Sequence, residues 1–335
     1  MYSQQTPSQA FNQAPLFEYL NSAPTTQDLE DPPPERVSGA LSSVRIDLRV
    51  DLHYEIDNRG ADFVFNIHAA RTPSQSVSAE TLILSQDVQQ TLYADPSTGN
   101  RYMRVRARPG ELKLSYAAMV DLVHLHAEPA GICEVPVCFL PNDVIGYIYP
   151  SRYCQSDLLI NLATAEFGNL PQGYARVLAI QDWVRENVSF LSNTSNSNTS
   201  AVDTLNSHVG VCRDFAHLMI ALCRALNIPA RFATGTDYGS DPNLGPPDFQ
   251  AYVEVYLSHR WFMFDPSGTA MPMGFVRFGT GRDATDVAFA TVFGCVRLHA
   301  PGIRALAVGD QVRGTVIPHH CLQALSTDSG TWSLG

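Results

Sequence analysis

From Val44 onward every second residue is apolar. Val44, Ile46, Leu48, Val50 and Leu52 share one side of an extended chain, which is the period of a strand with one buried face. Shorter runs of the same kind follow at 63–68, 81–84, 102–107 and 111–122, separated by turn-forming stretches such as Asn58-Arg59-Gly60 and Pro96-Ser97-Thr98-Gly99-Asn100. Short strands spaced by turns in this way predict an antiparallel β domain over 43–150. Residues 1–42 differ. Rich in Gln, Ser and Pro, with Pro32-Pro33-Pro34 near their end and little apolar periodicity, they read as a flexible extension.

Near Pro150 the period changes. Ser156 is placed to cap a helix running through about Phe167, since its hydroxyl can accept from a free first-turn amide. Val177, Ile180 and Val184 fall at helical spacing within 174–187, and a mostly apolar helix over 212–226 is stopped by Asn227 and Pro229. Between these helices lies a polar low-complexity loop, 192–200. Strands are expected at 230–235, 249–257 and 261–265. The second domain is set at 151–310, with 311–335 as a C-terminal tail.

The 335 residues are 45% apolar and 16% charged, enough for a substantial core and too few charges for a disordered chain. A net charge of -11 argues against a nucleic-acid partner held by phosphate neutralisation. No stretch approaches the roughly 18 unbroken apolar residues of a membrane span, and Met1-Tyr2-Ser3-Gln4-Gln5 lacks the basic start and apolar core of a secretory signal. A cytoplasmic protein without a membrane partner is expected. Seven scattered cysteines suit reduced thiols better than a disulfide framework. Lys113 is the single lysine.

The sharpest local feature is Gly210-Val211-Cys212-Arg213-Asp214-Phe215-Ala216-His217. Its cysteine opens a long apolar helix, where unpaired amides and the positive end of the helix dipole favour a thiolate. The competing reading is packing, because free cysteines are among the most buried residue types. A nucleophilic thiol also needs a base and a group that orients it. If the hairpin after 248–257 turns through Ser258-His259, Asp265 stands opposite Tyr252 and on the same sheet face as Gln250. A four-residue turn gives the same register, and a three-residue turn puts Asp265 on the other face.

That helix start, followed by Asp248-Phe249-Gln250-Ala251 and then Arg260-Trp261-Phe262-Met263-Phe264-Asp265-Pro266, resembles the transglutaminase-like superfamily, whose papain-like core carries a Cys-His-Asp triad. Arg152-Tyr153-Cys154, Gly279-Thr280-Gly281-Arg282-Asp283 and Val287-Ala288-Phe289-Ala290-Thr291 resemble the bacterial branch in which a β domain precedes that core. The likeness spans about 44–294. It implies an α+β chain: an N-terminal antiparallel β domain followed by a papain-like, transglutaminase-like core. Cys212 takes the nucleophile position and Asp265 the orienting one. Gln250 stands where the family places its triad histidine, in Asp-Phe-His-Ala.

A neutral amide can hold a substrate, but it neither takes the thiol proton nor returns one to a leaving amine near pH 7. Two functions therefore stand side by side. One is cysteine-dependent acyl transfer or hydrolysis at peptide or glutamine-type amides, impaired by Gln250, with a peptide or protein substrate or a small amide and no cofactor. The other is a catalytically inactive relative that binds a peptide or partner. Among other histidines, His217 lies about 140° around the helix from Cys212 and reads as a core residue. His208 sits on a flexible approach that could fold back, and His259 belongs to the hairpin turn.

The remaining clusters have plainer readings. Arg104, Arg106 and Arg108 suit a solvated sheet face. His124 and His126 with Cys133 and Cys138 fit no closed zinc spacing, so no metal is expected, and His319-His320-Cys321 suits a surface turn. The polar loop 192–200 and the Gly- and Pro-rich 237–247 could border a substrate cleft or serve as plain connectors.

Overall fold

A computed structural model describes residues 39–239, 248–269, 271–309 and 314–327. The extension expected over 1–42 lies outside the described residues as far as position 38, and from Gly39 the chain is already strand. Six strands come first: β1 Gly39–Ile56, β2 Ala61–Phe65, β3 Gln75–Leu84, β4 Gln90–Ala94, β5 Arg101–Ala107 and β6 Gly110–Ala127. Then follow α1 Ile160–Phe167, α2 Tyr174–Asn187, β7 Ser189–Phe190, α3 Ala201–Ser207, β8 Val209–Gly210 and α4 Cys212–Ala225. The strands β9 Ala230–Asp237, β10 Gln250–Leu257, β11 Arg260–Phe264 and β12 Phe275–Gly281 precede α5 Ala284–Val287. Four short strands follow among the described residues: β13 Ala290–Phe293, β14 Val296–Leu298, β15 Gly302–Ala307 and β16 Ala324–Ser326.

β1 and β6 pair antiparallel along their whole length, from Gly39 opposite Ala127 to Ile56 opposite Gly110. The alternation read from the sequence is the burial pattern found: Val44, Ile46, Leu48 and Val50 are fully buried, while the intervening Arg45 reaches across to Asp121 at 2.6 Å. A second sheet, ordered β13-β2-β5-β4, buries Phe63, Phe65, Met103 and Val105 in the same core. This is an antiparallel β domain of two sheets, as expected. Three of the closing strands also belong to the larger sheet: β14 and β15 lie on β1, and β16 lies on β6. Residues of 290–326 thus return to the first domain after the second has been built.

The second core packs α4 against a sheet ordered β11-β10-β9-β12, with α1, α2 and α3 around it. From Asp214 to Arg224 every residue of α4 is buried, so the helix is covered on all sides. Ser156 does not cap α1: residues 156–158 form a separate tight turn, the serine is buried, and α1 begins after Leu159 with no side-chain cap.

Two buried amides tie the β domain to β12. Gln75 donates to the Arg277 carbonyl at 2.8 Å and accepts from the Arg277 amide at 2.9 Å. Asn100 does the same with Thr280, both at 2.8 Å.

Candidate active site

Cys212 is the first residue of α4, half-buried, and its approach is fixed from both sides. Asp214, fully buried, accepts from the Val211 amide at 3.0 Å and from Ser195 Oγ at 2.8 Å. The helix start and the polar loop therefore share one carboxylate. Gly210 lets this happen, because a Cβ there would lie 2.8 Å from Asp214 Cβ. Arg213 closes the knot with bonds to Ser195 Oγ and to the Asn196 carbonyl.

Beside the helix start runs β10, beginning at Gln250. β10 and β11 pair with Leu257 opposite Arg260 and Val253 opposite Phe264. The turn is the two-residue Ser258-His259, both with positive φ, 44° and 57°, the hand that matches strand twist in a short hairpin. The same register carried one step further sets Asp265 opposite Tyr252. Asp265 is buried, and its Oδ1 accepts from the Ser267 amide at 3.0 Å and from Ser267 Oγ at 2.6 Å.

Cys212 and Gln250 line one cleft of about 930 Å³. One part of its lining is Val211, Cys212, Phe249, Gln250 and Ala251; the polar loop contributes Ser192, Asn193, Ser195 and Ser197; a further wall, the far wall, runs through Ala284, Thr285 and 287–292. The loop ahead of the helix is thus a cleft border. The other loop expected there, 237–247, lies outside the described residues from position 240. Asp265 stands behind the cleft, close enough for its charge to act on the Cys212 sulfur.

Burial pushes the Cys212 thiol up to about 12, and the carboxylates of Asp248 and Asp265 push the same way. The backbone amides of Ala251 and Arg213 favour the ionised sulfur but do not outweigh burial. The thiol meets the Phe249 carbonyl at 3.9 Å, a geometry in which a protonated sulfur donates weakly.

All ten histidines fall among the described residues, and none lines the cleft. His217 is buried in the α4 core, stacked on Tyr153 with ring centroids 4.9 Å apart. It accepts from the Ala284 amide at 3.2 Å, and burial holds it neutral, down to about 3. His208 is not on a flexible approach. It ends α3 in the left-handed conformation, with Nδ1 2.9 Å from the Asn187 carbonyl. His259 occupies the hairpin turn at the far end of the strands.

The far wall was not legible as a site. Val287-Ala288-Phe289-Ala290-Thr291 carried only a family likeness, and β13, four residues long with an exposed Phe293, is too short for its alternation to stand out. Phe289 stacks face to face on Phe249, centroids 4.2 Å apart, which fixes that wall against the residue preceding Gln250. Among the described residues no group of three or more His, Cys, Asp or Glu is placed to hold a metal. No described helix is long and apolar enough to cross a membrane.

Residues 161–266 match the transglutaminase-like superfamily core, and residues 44–143 match the bacterial transglutaminase N-terminal domain. A crystal structure from Cytophaga hutchinsonii, described as a candidate cysteine protease, is 37% identical. It covers 86% of this chain and 99% of its own, with a TM-score of 0.80. An uncharacterized protein of Mycobacterium leprae is 30% identical over 117 residues, 33% of this chain and 42% of that protein. The match therefore spans about two fifths of that relative's length.

Proposed function

The chain belongs to the transglutaminase-like superfamily, in the bacterial branch with an N-terminal β domain, and we propose that its cleft binds peptide or glutamine-type amides for an acyl transfer stalled at proton removal. One observation carries this: none of the ten histidines lines the cleft, while Cys212 and Gln250 both do.

In the full reaction the Cys212 sulfur attacks the amide carbonyl, the amine leaves with a proton, and water or another amine resolves the thioester. Both ends need a group that takes and returns a proton, which an amide side chain cannot do near pH 7. Gln250 can hold the substrate carbonyl or amide by hydrogen bonds. Asp265, whose Oδ1 accepts from Ser267, then has no imidazole in the cleft to orient. With Lys113 as the single lysine, an acceptor amine for transamidation would come mostly from another molecule.

A second reading, a silent peptide- or partner-binding protein, is favoured by the Cys212 thiol itself, which burial pushes up to about 12. The two readings part at Gln250→His. Alkylation of Cys212, read by peptide mapping, should keep rising past about pH 9 in the wild type, because only the thiolate reacts. The variant should instead plateau near neutral pH. Hydrolysis of a glutamine-containing peptide should rise by about 10²–10⁴-fold, the usual contribution of a general base. A wild-type plateau near pH 6 would sink the stalled-transfer reading. A variant that gains thiol reactivity but no turnover would leave the silent binder standing.

A further inference from the structure

Among the described residues, one wall of the cleft is the open edge of a sheet. β13 pairs with β2 alone among the described strands. The register sets Ala290 opposite Phe65, Thr291 opposite Val64 and Val292 opposite Phe63, and one step earlier the Asn66 amide donates to the Phe289 carbonyl at 3.0 Å. In an antiparallel ladder the residues that exchange bonds alternate. Phe289 and Thr291 therefore turn their backbone groups toward β2, and Ala290 and Val292 turn theirs outward. Both of these residues line the cleft that holds Cys212.

This edge is anchored at its approach and at Phe289, the residue before it. The turn leading into it is anchored where the Ala284 amide meets His217 and where Asp283 accepts from the Tyr153 amide at 3.0 Å. The Phe249–Phe289 stack ties it to β10.

Resting on the reading of the cleft as an amide-binding site, we infer that its ligand is an extended polypeptide segment that adds as a further strand to β13. Its main chain exchanges hydrogen bonds with Ala290 and Val292 while one of its amides reaches Cys212. An edge with outward amides in the same cleft as a thiol suits an occupant with a repeating backbone of donors and acceptors. A small amide offers one such pair and could not use the edge.

Reduced, carboxymethylated casein is the probe. On the wild-type protein it should slow hydrogen exchange at the Ala290 and Val292 amides and shield Cys212 from alkylation at about pH 9, where thiolate begins to form. Val292→Pro removes one outward donor while leaving the bonds to β2, and should weaken casein binding about tenfold; Val292→Thr keeps the donor and should bind as the wild type does. The exchange measurement needs no variant, so it decides even if the proline substitution unfolds the strand. If casein shields Cys212 without slowing exchange at Ala290 and Val292, strand addition is overturned and the cleft reading survives. If it does neither, both fall.

Discussion

At Cys212 the helix terminus and the burial of its sulfur pull in opposite directions, and burial wins. The Ala251 and Arg213 amides favour the anion, yet the thiol is pushed up to about 12, so position at a helix start does not by itself make a nucleophile. On the proposed reading, an imidazole at position 250 would add a proton acceptor that becomes a cation beside the thiolate. The supporting residues are more tightly constrained. Gly210→Ala would drive a Cβ to 2.8 Å from Asp214 Cβ, displacing the carboxylate that holds Val211 and Ser195. A loss of about 1–3 kcal/mol is expected from such overpacking, read as a lower urea midpoint with unchanged slope. Glu254, almost fully buried, bonds Arg231 Nε at 2.7 Å and also Arg277. Glu254→Gln would leave two guanidinium groups beside β9 and β12 short of a counter-charge and should cost about 3–5 kcal/mol by the same measurement.

Among the elements, those with a long, clean period were legible and those fixed by distant partners were not. β1 announces itself by five alternating apolar residues, α2 by Val177, Ile180 and Val184, and α4 by an apolar run ended at Asn227, whose φ of 60° terminates the helix. The hairpin register was readable only as a choice between turn lengths, which the left-handed Ser258-His259 turn resolves. By contrast β13 to β16 are three to six residues long and mostly exposed, except for β16. They exist because β1, β2 and β6 offer them edges, which local sequence does not encode. That is why the cleft's lining at Cys212 and Gln250 could be named residue by residue and its far wall could not. The same non-local logic governs β12, whose place depends on Gln75 and Asn100 from the β domain. Asn100→Leu would leave the Thr280 amide and carbonyl buried without those partners. Unmet backbone groups cost about 1–3 kcal/mol each, so a clear drop in the urea midpoint is expected. A neutral result would mean that the clamp carries no stability.

For the whole molecule, the buried histidines set how the fold responds to acid. Burial depresses His68 to about 4 and both His124 and His217 to about 3. Above the ordinary histidine value near 6.5 all three are neutral whether the chain is folded or not, and they contribute nothing to a pH dependence. As pH falls below about 6.5 the unfolded chain takes up three protons that the folded chain refuses until pH 4 or 3. Stability must then fall with pH across that window, by up to about 1.4 kcal/mol per pH unit for each histidine. The three act in the same direction, so the decline steepens with each of them. Lowered carboxylates such as Glu80, held down to about 2 chiefly by its bonds to Arg101 and Tyr116 against the opposing effect of burial, add a loss in the same direction only at lower pH. The onset of the decline therefore separates the two sources. His124 provides the decisive variant: it is fully buried, both ring nitrogens lack partners among the described residues, and the charges of His126 and Arg277 oppose its protonation. His124→Leu removes two unmet polar atoms, so neutral-pH stability should hold within about 1 kcal/mol. The slope of stability between pH 4.5 and 6 should become clearly shallower. Urea midpoints measured at intervals across that range test it, and an unchanged slope would mean that His124 does not set the acid response.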